Sequence, residues 1–135
     1  MATKDNFFQT SDGLWLYYEV TGEGRPIVLI PGFGEALTMW KYAVPVLSQR
    51  FQVVCLDPRG HGRSMKAAGN NRQKRMAQDI RELIDHLGLE DVLLVGHSLG
   101  GAIVATKLFL RLFLTSVVSV TASTLLAAVG LYKIF

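Results

Sequence analysis

Cysteine is almost absent from this chain, since Cys55 is the only one among 135 residues. A single cysteine excludes an internal disulfide and gives no sign of an oxidising compartment. The first residues lack the apolar core of a signal peptide, and the chain has no internal repeat or low-complexity segment. Disorder is excluded too, because 50% of the residues are hydrophobic and only 19% are charged. We therefore expect one domain over residues 1–135, in the cytoplasm.

Strong charge of either sign is also lacking. The chain has 14 basic and 11 acidic residues, a net charge of +3 and a pI near 9.2. Apart from Arg72, Lys74 and Arg75 the basic residues are scattered, and no aromatic residues interleave with them. This pattern predicts no nucleic-acid partner.

Charged residues are missing altogether from Leu112 to Leu131. One reading makes Ser116–Val120 a sixth strand and Leu125–Ile134 a helix, which the β-branched residues favour. The other makes Leu112–Leu131 a membrane-spanning helix and an anchor, which the length and the lack of charge favour. Under either reading an apolar surface stays uncovered, so residues 112–135 are expected to self-associate or to contact a partner or a membrane.

What is present before this tail is an alternation of strands and helices. Two apolar runs around the turn Thr10–Gly13 predict a hairpin over residues 7–20. Apolar runs and helical spacing then predict strands at 27–30, 52–56 and 91–95 and helices at 36–50, 72–87 and 98–110. Pro45 is expected to divide the first helix or to bend it. Gly88 stands where a helix end favours glycine. This order indicates an α/β fold.

The motif that carries chemistry is Gly96-His97-Ser98-Leu99-Gly100, a G-x-S-x-G pattern between a predicted strand and a predicted helix. A serine in such a tight turn has strained torsions, and the residues two positions away must be small. The helix N-terminus behind Ser98 favours a developing oxyanion. The alternative, that Ser98 is only a helix N-cap, does not account for the whole strand–turn–helix context.

With this motif the sequence resembles the α/β-hydrolase family, in its branch of esterases, lactonases and cofactor-free haloperoxidases. Three further segments support the resemblance: Ile30-Pro31-Gly32-Phe33-Gly34, Asp57-Pro58-Arg59-Gly60-His61-Gly62-Arg63-Ser64 and Ile84-Asp85-His86-Leu87-Gly88-Leu89. It covers residues 7–110. It implies a three-layer α/β/α sandwich, mostly parallel, with an N-terminal antiparallel hairpin and a sheet truncated after about the sixth strand.

The resemblance also implies roles for the residues. Ser98 would be the nucleophile, and the amides of Phe33 and Leu99 would form the oxyanion hole. The glycines would allow two tight backbone turns: Gly32 and Gly34 in the loop that carries Phe33, and Gly96 and Gly100 in the turn around Ser98, called the nucleophile elbow. Asp57 and Arg59 would stabilise their own loop, and no metal or cofactor is implied. The substrate would be a small-molecule ester or lactone.

The other two members of a Ser–acid–His triad are not found where the family places them. After Ser98 the chain has no Asp, Glu or His, whereas the family order is Ser, then the acid, then His. His61 and His97 precede the serine and are expected to be structural, because a base must lie within hydrogen-bond reach.

Three hypotheses follow from the incomplete triad. The chain is the N-terminal portion of a serine hydrolase and is impaired as it stands. Alternatively it is a non-catalytic binding or membrane-associated remnant of one. In the third, another chain donates the histidine and the acid.

Overall fold

A mostly parallel sheet is the centre of the fold in a computed structural model that describes residues 6–66, 69, 73–104, 116–120 and 132–133. Within these residues seven strands are ordered β1-β2-β4-β3-β5-β6-β7. The hairpin β1–β2 is antiparallel to its neighbours, while β4, β3, β5 and β6 run parallel. The strands are Phe7–Gln9, Trp15–Thr21, Arg25–Ile30, Phe51–Leu56, Leu93–His97, Ser116–Val120 and Tyr132–Lys133.

The helices lie between these strands as the alternating pattern predicts. A 3₁₀ turn at Leu37–Trp40 and a short α1 at Val44–Leu47 connect β3 to β4, α2 spans Gln73–His86, and α3 spans Leu99–Val104. Pro45 lies in the first turn of α1, where its missing N–H costs no hydrogen bond, so it divides the predicted helix into two. Gly88 follows α2 with φ of +61°, as expected at a helix end. Residues 105–110 of the last predicted helix lie outside the described residues.

Alternate residues of the central strands bury two separate apolar faces. Val28, Ile30 and Leu94 pack with α2 and α3, whereas Ile27 and Leu29 pack with the 3₁₀ turn and α1. Because successive side chains of a strand point to opposite faces, strands covered on both sides are apolar throughout. The result is the three-layer α/β/α sandwich that the sequence resemblance implied.

The boundaries of two strands, β3 and β5, differ from the prediction by two residues. β5 begins at Leu93 and not at Asp91, whose backbone is left-handed with φ of +49°. It continues to His97, because Gly96 pairs with β3 and His97 with β6. β3 begins at Arg25, because Arg25 and Pro26 already pair with β4. In each case pairing with a neighbouring strand decided where the strand begins and ends.

The apolar tail contains strand β6, where the first reading expected a strand. Ser116–Val120 pairs parallel with β5, which a single helix over Leu112–Leu131 would not allow. Tyr132–Lys133 pairs antiparallel with β6, so the expectation of a helix through Ile134 is wrong there and the sheet has one short strand more than predicted. The rest of that helix lies outside the described residues. Within the part of the chain that the structure describes, no helix reaches the length and apolarity that crossing a bilayer requires.

A buried ion-pair network fixes the loop that follows β4. Arg59 has a fully buried side chain and donates two hydrogen bonds to Asp79 of α2, at 2.6 and 2.7 Å. It also donates to Asp12 in the β1–β2 turn, at 3.0 and 3.1 Å. The hydrogen bonds from Arg59 hold the pKa of Asp12 well below its ordinary value. The guanidinium thus ties the hairpin, α2 and the loop after β4 together.

This network predicts that Asp79→Asn destabilises the fold strongly. The substitution removes the closer of the two carboxylates that pair with the buried Arg59 guanidinium. The free energy of unfolding should therefore fall by about 3 kcal/mol or more. The matched control is Asp91→Asn, because Asp91 pairs with Arg25 on the surface and asparagine tolerates a left-handed backbone; it should cost less than about 1 kcal/mol. Urea unfolding of both variants checks this, and equal losses would contradict it.

Candidate active site

Ser98 stands in the tight turn between β5 and α3. Its φ is +52°, a left-handed conformation that is strained for any residue with a Cβ. The residue is exposed, and among the described residues its hydroxyl has no hydrogen-bond partner. The strained strand–turn–helix that the motif predicted is present, and it presents the hydroxyl at the carboxyl end of the parallel strands.

The two glycines of the motif allow the backbones to come unusually close. A Cβ on Gly96 would overlap the backbone of Gly100 and Gly101. A Cβ on Gly100 would overlap the carbonyl of Ile30 and lie 2.7 Å from that of Pro31. The first turn of α3 therefore packs directly on the ends of β3 and β5, a contact that only glycine permits.

The loop after β3 leaves the same edge of the sheet as Ser98. Ile30 pairs with Gly96 across the two adjacent parallel strands, so Phe33 and Ser98 both lie within three residues of that pair. Because carboxyl ends of parallel strands meet at one edge, this is where an α/β sheet binds its ligands. The structure thus brings the predicted Phe33 and Leu99 loops to adjacent strand ends.

Glu35 organises the first half of this loop, and the sequence analysis missed it. Its Oε2 accepts a hydrogen bond from the Gly32 amide at 2.9 Å and another from His97 Nδ1 at 3.1 Å. The Glu35 amide in turn donates to the Gly32 carbonyl at 3.2 Å. A Cβ at Gly32 would lie 2.6 Å from that Oε2, so a larger residue there would displace the Glu35 carboxylate. The available signal was an acidic residue three positions after the loop glycine.

His61 organises the second half of the loop. Its Nε2 accepts a hydrogen bond from the Gly34 amide at 2.9 Å, and its Nδ1 lies 2.9 Å from the Arg59 carbonyl. These contacts require the neutral tautomer with the proton on Nδ1, as inferred from the hydrogen bonds. The ring also meets Phe33 edge-on at 5.7 Å. Both ring nitrogens of His61 therefore have backbone partners.

The Phe33 amide lies between two amides that are already hydrogen-bonded. Among the described residues neither the Phe33 nor the Leu99 amide has a hydrogen-bond partner. The Phe33 side chain is 75% exposed. The two unpaired amides thus lie in the loops that follow two adjacent parallel strands.

Asp57 joins the loop after β3 to the loop after β4. Its carboxylate accepts hydrogen bonds from the amides of Leu37 and Arg63, both at 2.8 Å. Its backbone carbonyl accepts one from the Ser64 hydroxyl at 2.6 Å. Asp57 is buried, and its contacts agree with the stabilising role expected of it.

No base has been found for the Ser98 hydroxyl within the part of the chain that the structure describes. His97 is adjacent in sequence, but its Nδ1 is directed to Glu35, and His61 is engaged with Gly34 and Arg59. Cys55 offers no competing nucleophile, because burial in the sheet raises the pKa of its thiol to about 12. Ser98 is the candidate nucleophile, and its activating base is missing from these residues.

Comparison with known proteins identifies the family of the chain. The α/β-hydrolase fold family model matches residues 25–122. A soluble epoxide hydrolase of Corynebacterium sp. (strain C12) is 36% identical over 92 residues, which are 68% of this chain and 32% of that protein. A non-heme haloperoxidase of Rhodococcus erythropolis is 39% identical over 100 residues, or 73% of this chain and 36% of that protein.

A solved structure with a similar fold supports the same family. An esterase from Exiguobacterium antarcticum superposes with a TM-score of 0.77 at 34% identity, over 87% of this chain and 44% of that one. Fold and site define an α/β protein with a strained serine at the carboxyl edge of its sheet. The chain belongs to the α/β-hydrolase fold family. It spans about a third of the length of the curated relatives described above.

The torsion of Ser98 predicts a gain in stability when it is replaced by glycine. Glycine adopts φ of +52° without the Cβ clash, so Ser98→Gly should be more stable than Ser98→Ala by about 1 kcal/mol. Both variants lack the hydroxyl, and only the alanine keeps the strained Cβ. Urea midpoints measure the difference, and an alanine variant as stable as the glycine variant would refute strain at this position.

The close packing around Gly96 predicts a loss of stability when this residue is enlarged. Gly96→Ala should lower the free energy of unfolding by about 3 kcal/mol, because the new Cβ overlaps the backbone of the next turn. Gly88→Ala is the matched control. Its Cβ would meet nothing within 4 Å at φ of +61°, so it should cost only about 1 kcal/mol. Similar losses in thermal unfolding would show that the packing at Gly96 is loose.

Proposed function

We propose that this chain carries the nucleophile and oxyanion site of a serine hydrolase that cleaves carboxylic esters or lactones. The observation that carries the proposal is the φ of +52° at Ser98, which lifts an exposed hydroxyl above the strand ends. Strain of this kind persists only where the surrounding structure imposes it. Gly96 and Gly100 impose it here through their backbone contacts.

In the proposed reaction Ser98 Oγ attacks the carbonyl carbon of the substrate. The carbonyl oxygen becomes an oxyanion, which the amides of Phe33 and Leu99 would stabilise by hydrogen bonds. Collapse of the tetrahedral intermediate breaks the bond to the alcohol oxygen, which takes up the proton that Ser98 has lost, and leaves an acyl group on Ser98. Attack by water then releases the acid and restores the hydroxyl.

The missing step is removal of the Ser98 proton, so we propose that the chain alone is impaired. A serine hydroxyl is a weak nucleophile without an adjacent base, and no Asp, Glu or His follows Ser98 in the sequence. In serine proteases the site that remains after loss of the triad still accelerates the reaction by about 10³–10⁴ over water. Activity of that order is what we expect of this chain unless a histidine and an acid come from elsewhere.

An ester or lactone fits the site better than the other chemistries of its relatives. The names of those relatives include an epoxide hydrolase, a haloperoxidase and an esterase, and one framework can serve several reactions. Two unpaired amides beside a hydroxyl suit a tetrahedral intermediate formed from a carbonyl. The proposal therefore assigns a small-molecule ester or lactone as substrate, with no cofactor.

A fluorophosphonate probe tests the nucleophile directly. Ser98 Oγ forms a bond to phosphorus, the P–F bond breaks, fluoride leaves and the hydroxyl proton passes to solvent. We expect slow, stoichiometric labelling at Ser98 over hours, because the oxyanion site is present and the base is not. Intact-mass spectrometry and peptide mapping locate the adduct, with Ser98→Ala as control. A chain that stays unlabelled, or labels equally in the alanine variant, contradicts the proposal.

The second candidate function is a non-catalytic binding remnant, favoured by the absence of a base for Ser98 among the described residues. It predicts that an ester analogue raises the unfolding temperature while turnover of p-nitrophenyl butyrate is zero. A turnover that disappears in Ser98→Ala excludes this candidate. Activity gained only on mixing with a C-terminal fragment of a related hydrolase would support a histidine and an acid donated by another chain.

A further inference from the structure

Three successive backbone amides in the loop after β3 differ in their hydrogen bonding. The Gly32 amide donates to Glu35 and the Gly34 amide donates to His61, each at 2.9 Å. The Phe33 amide between them has no partner among the described residues. Phe33 is itself exposed, and the hydrogen bonds of the two neighbouring amides restrict the backbone on either side of it.

Each of the two side chains is itself held by a second part of the fold. Glu35 Oε2 also accepts from His97 Nδ1 at 3.1 Å, and His97 is the last residue of β5. His61 Nδ1 donates to the Arg59 carbonyl at 2.9 Å, and Arg59 is locked to Asp79. The loop is therefore fastened to the nucleophile strand at one end and to the loop after β4 at the other.

We propose that Glu35 and His61 are positioning residues that together form an amide clamp, holding the Phe33 N–H in place as an oxyanion donor. The inference rests on the proposed function, because it assigns the clamp to the oxyanion site of Ser98. It adds that the donor depends on two side chains outside the G-x-S-x-G motif. It also assigns a use to His97, whose Nδ1 holds the Glu35 carboxylate.

The chemistry of the clamp requires hydrogen-bond acceptors at both positions. Gly32 and Gly34 present N–H groups, so only a side chain with a lone pair can hold them. Glutamine in place of Glu35 keeps one side-chain oxygen, which can accept both hydrogen bonds that Oε2 accepts, from the Gly32 amide and from His97 Nδ1. Alanine at either position removes the acceptor and frees the loop. A misplaced donor costs up to about 100-fold in rate.

The test compares fluorophosphonate labelling rates at Ser98 in the full chain. We expect Glu35→Ala and His61→Ala to label roughly 10- to 100-fold more slowly than the wild type, and Glu35→Gln to recover most of the rate. Glu23→Ala and His86→Ala are the matched controls, since Glu23 lies in an exposed turn and His86 contacts Phe8 and Tyr18. They should label at the wild-type rate. Unchanged rates in both clamp variants would overturn the clamp while leaving the proposed function intact.

A second readout does not need a reactive serine. Amide hydrogen exchange followed by NMR should quicken at Gly32 in Glu35→Ala and at Gly34 in His61→Ala, while amides of β3 and α2 keep their protection. Exchange that stays unchanged at both glycines overturns the clamp, whatever the labelling shows. Absence of labelling in the wild type defeats the proposed function instead, and the exchange rates then decide alone whether the two side chains hold the loop.

Discussion

Everything at the carboxyl edge of this sheet depends on one steric contact, in which the first turn of α3 rests on the backbone of β3 and β5. Gly96 and Gly100 have no Cβ, and each lies against backbone atoms where a Cβ would overlap. That contact leaves the chain only a sharp turn between strand and helix, and Ser98 has to adopt φ of +52° to complete it. The exposed hydroxyl is a consequence of backbone packing and not of any hydrogen bond that Ser98 makes.

Electrostatics fix the loops around this contact. The buried Arg59 joins α2 and the first hairpin to the loop after β4, and that loop carries His61 and Asp57. Both side chains then bind amides of the loop after β3. A buried guanidinium is costly to desolvate and is tolerated only when it is fully paired. Here the pairing helps to position the loop that follows the adjacent strand β3, so the network contributes to the site although none of its charges is exposed beside Ser98.

The local pattern of the sequence predicted most of the elements. Alternating apolar runs identified the strands, the spacing of Met76, Ile80 and Leu83 identified α2, and Pro45 divided the first helix as expected. Strand ends were less predictable, because Gly96 and His97 join β5 only through their pairing with β3 and β6. Such pairing is a tertiary effect that no local window contains. The seventh strand was missed for the same reason.

The sequence predicted the tight turn that carries Ser98, but not the side chains that hold the neighbouring loop in place. The spacing of the glycines around Ser98 predicted this turn, because its steric requirement for small residues can be recognised from neighbouring positions in the sequence. Glu35 has one local partner, Gly32, three positions before it, but its link to His97 spans 62 positions, and contacts of that range depend on the strand order. The link between His61 and Gly34, 27 positions apart, is of the same kind.

Substitution of Gly62 is expected to affect residues outside its own turn. The carboxylate of Asp57 fills the space where a Cβ would stand, with Oδ1 only 2.7 Å from that position, and φ at Gly62 is +52°. Any missense change in this codon would expel a carboxylate that holds amides in two separate loops. A surface glycine would then behave in a mutational scan like a buried core residue, with the damage extending to Leu37, whose amide Asp57 binds.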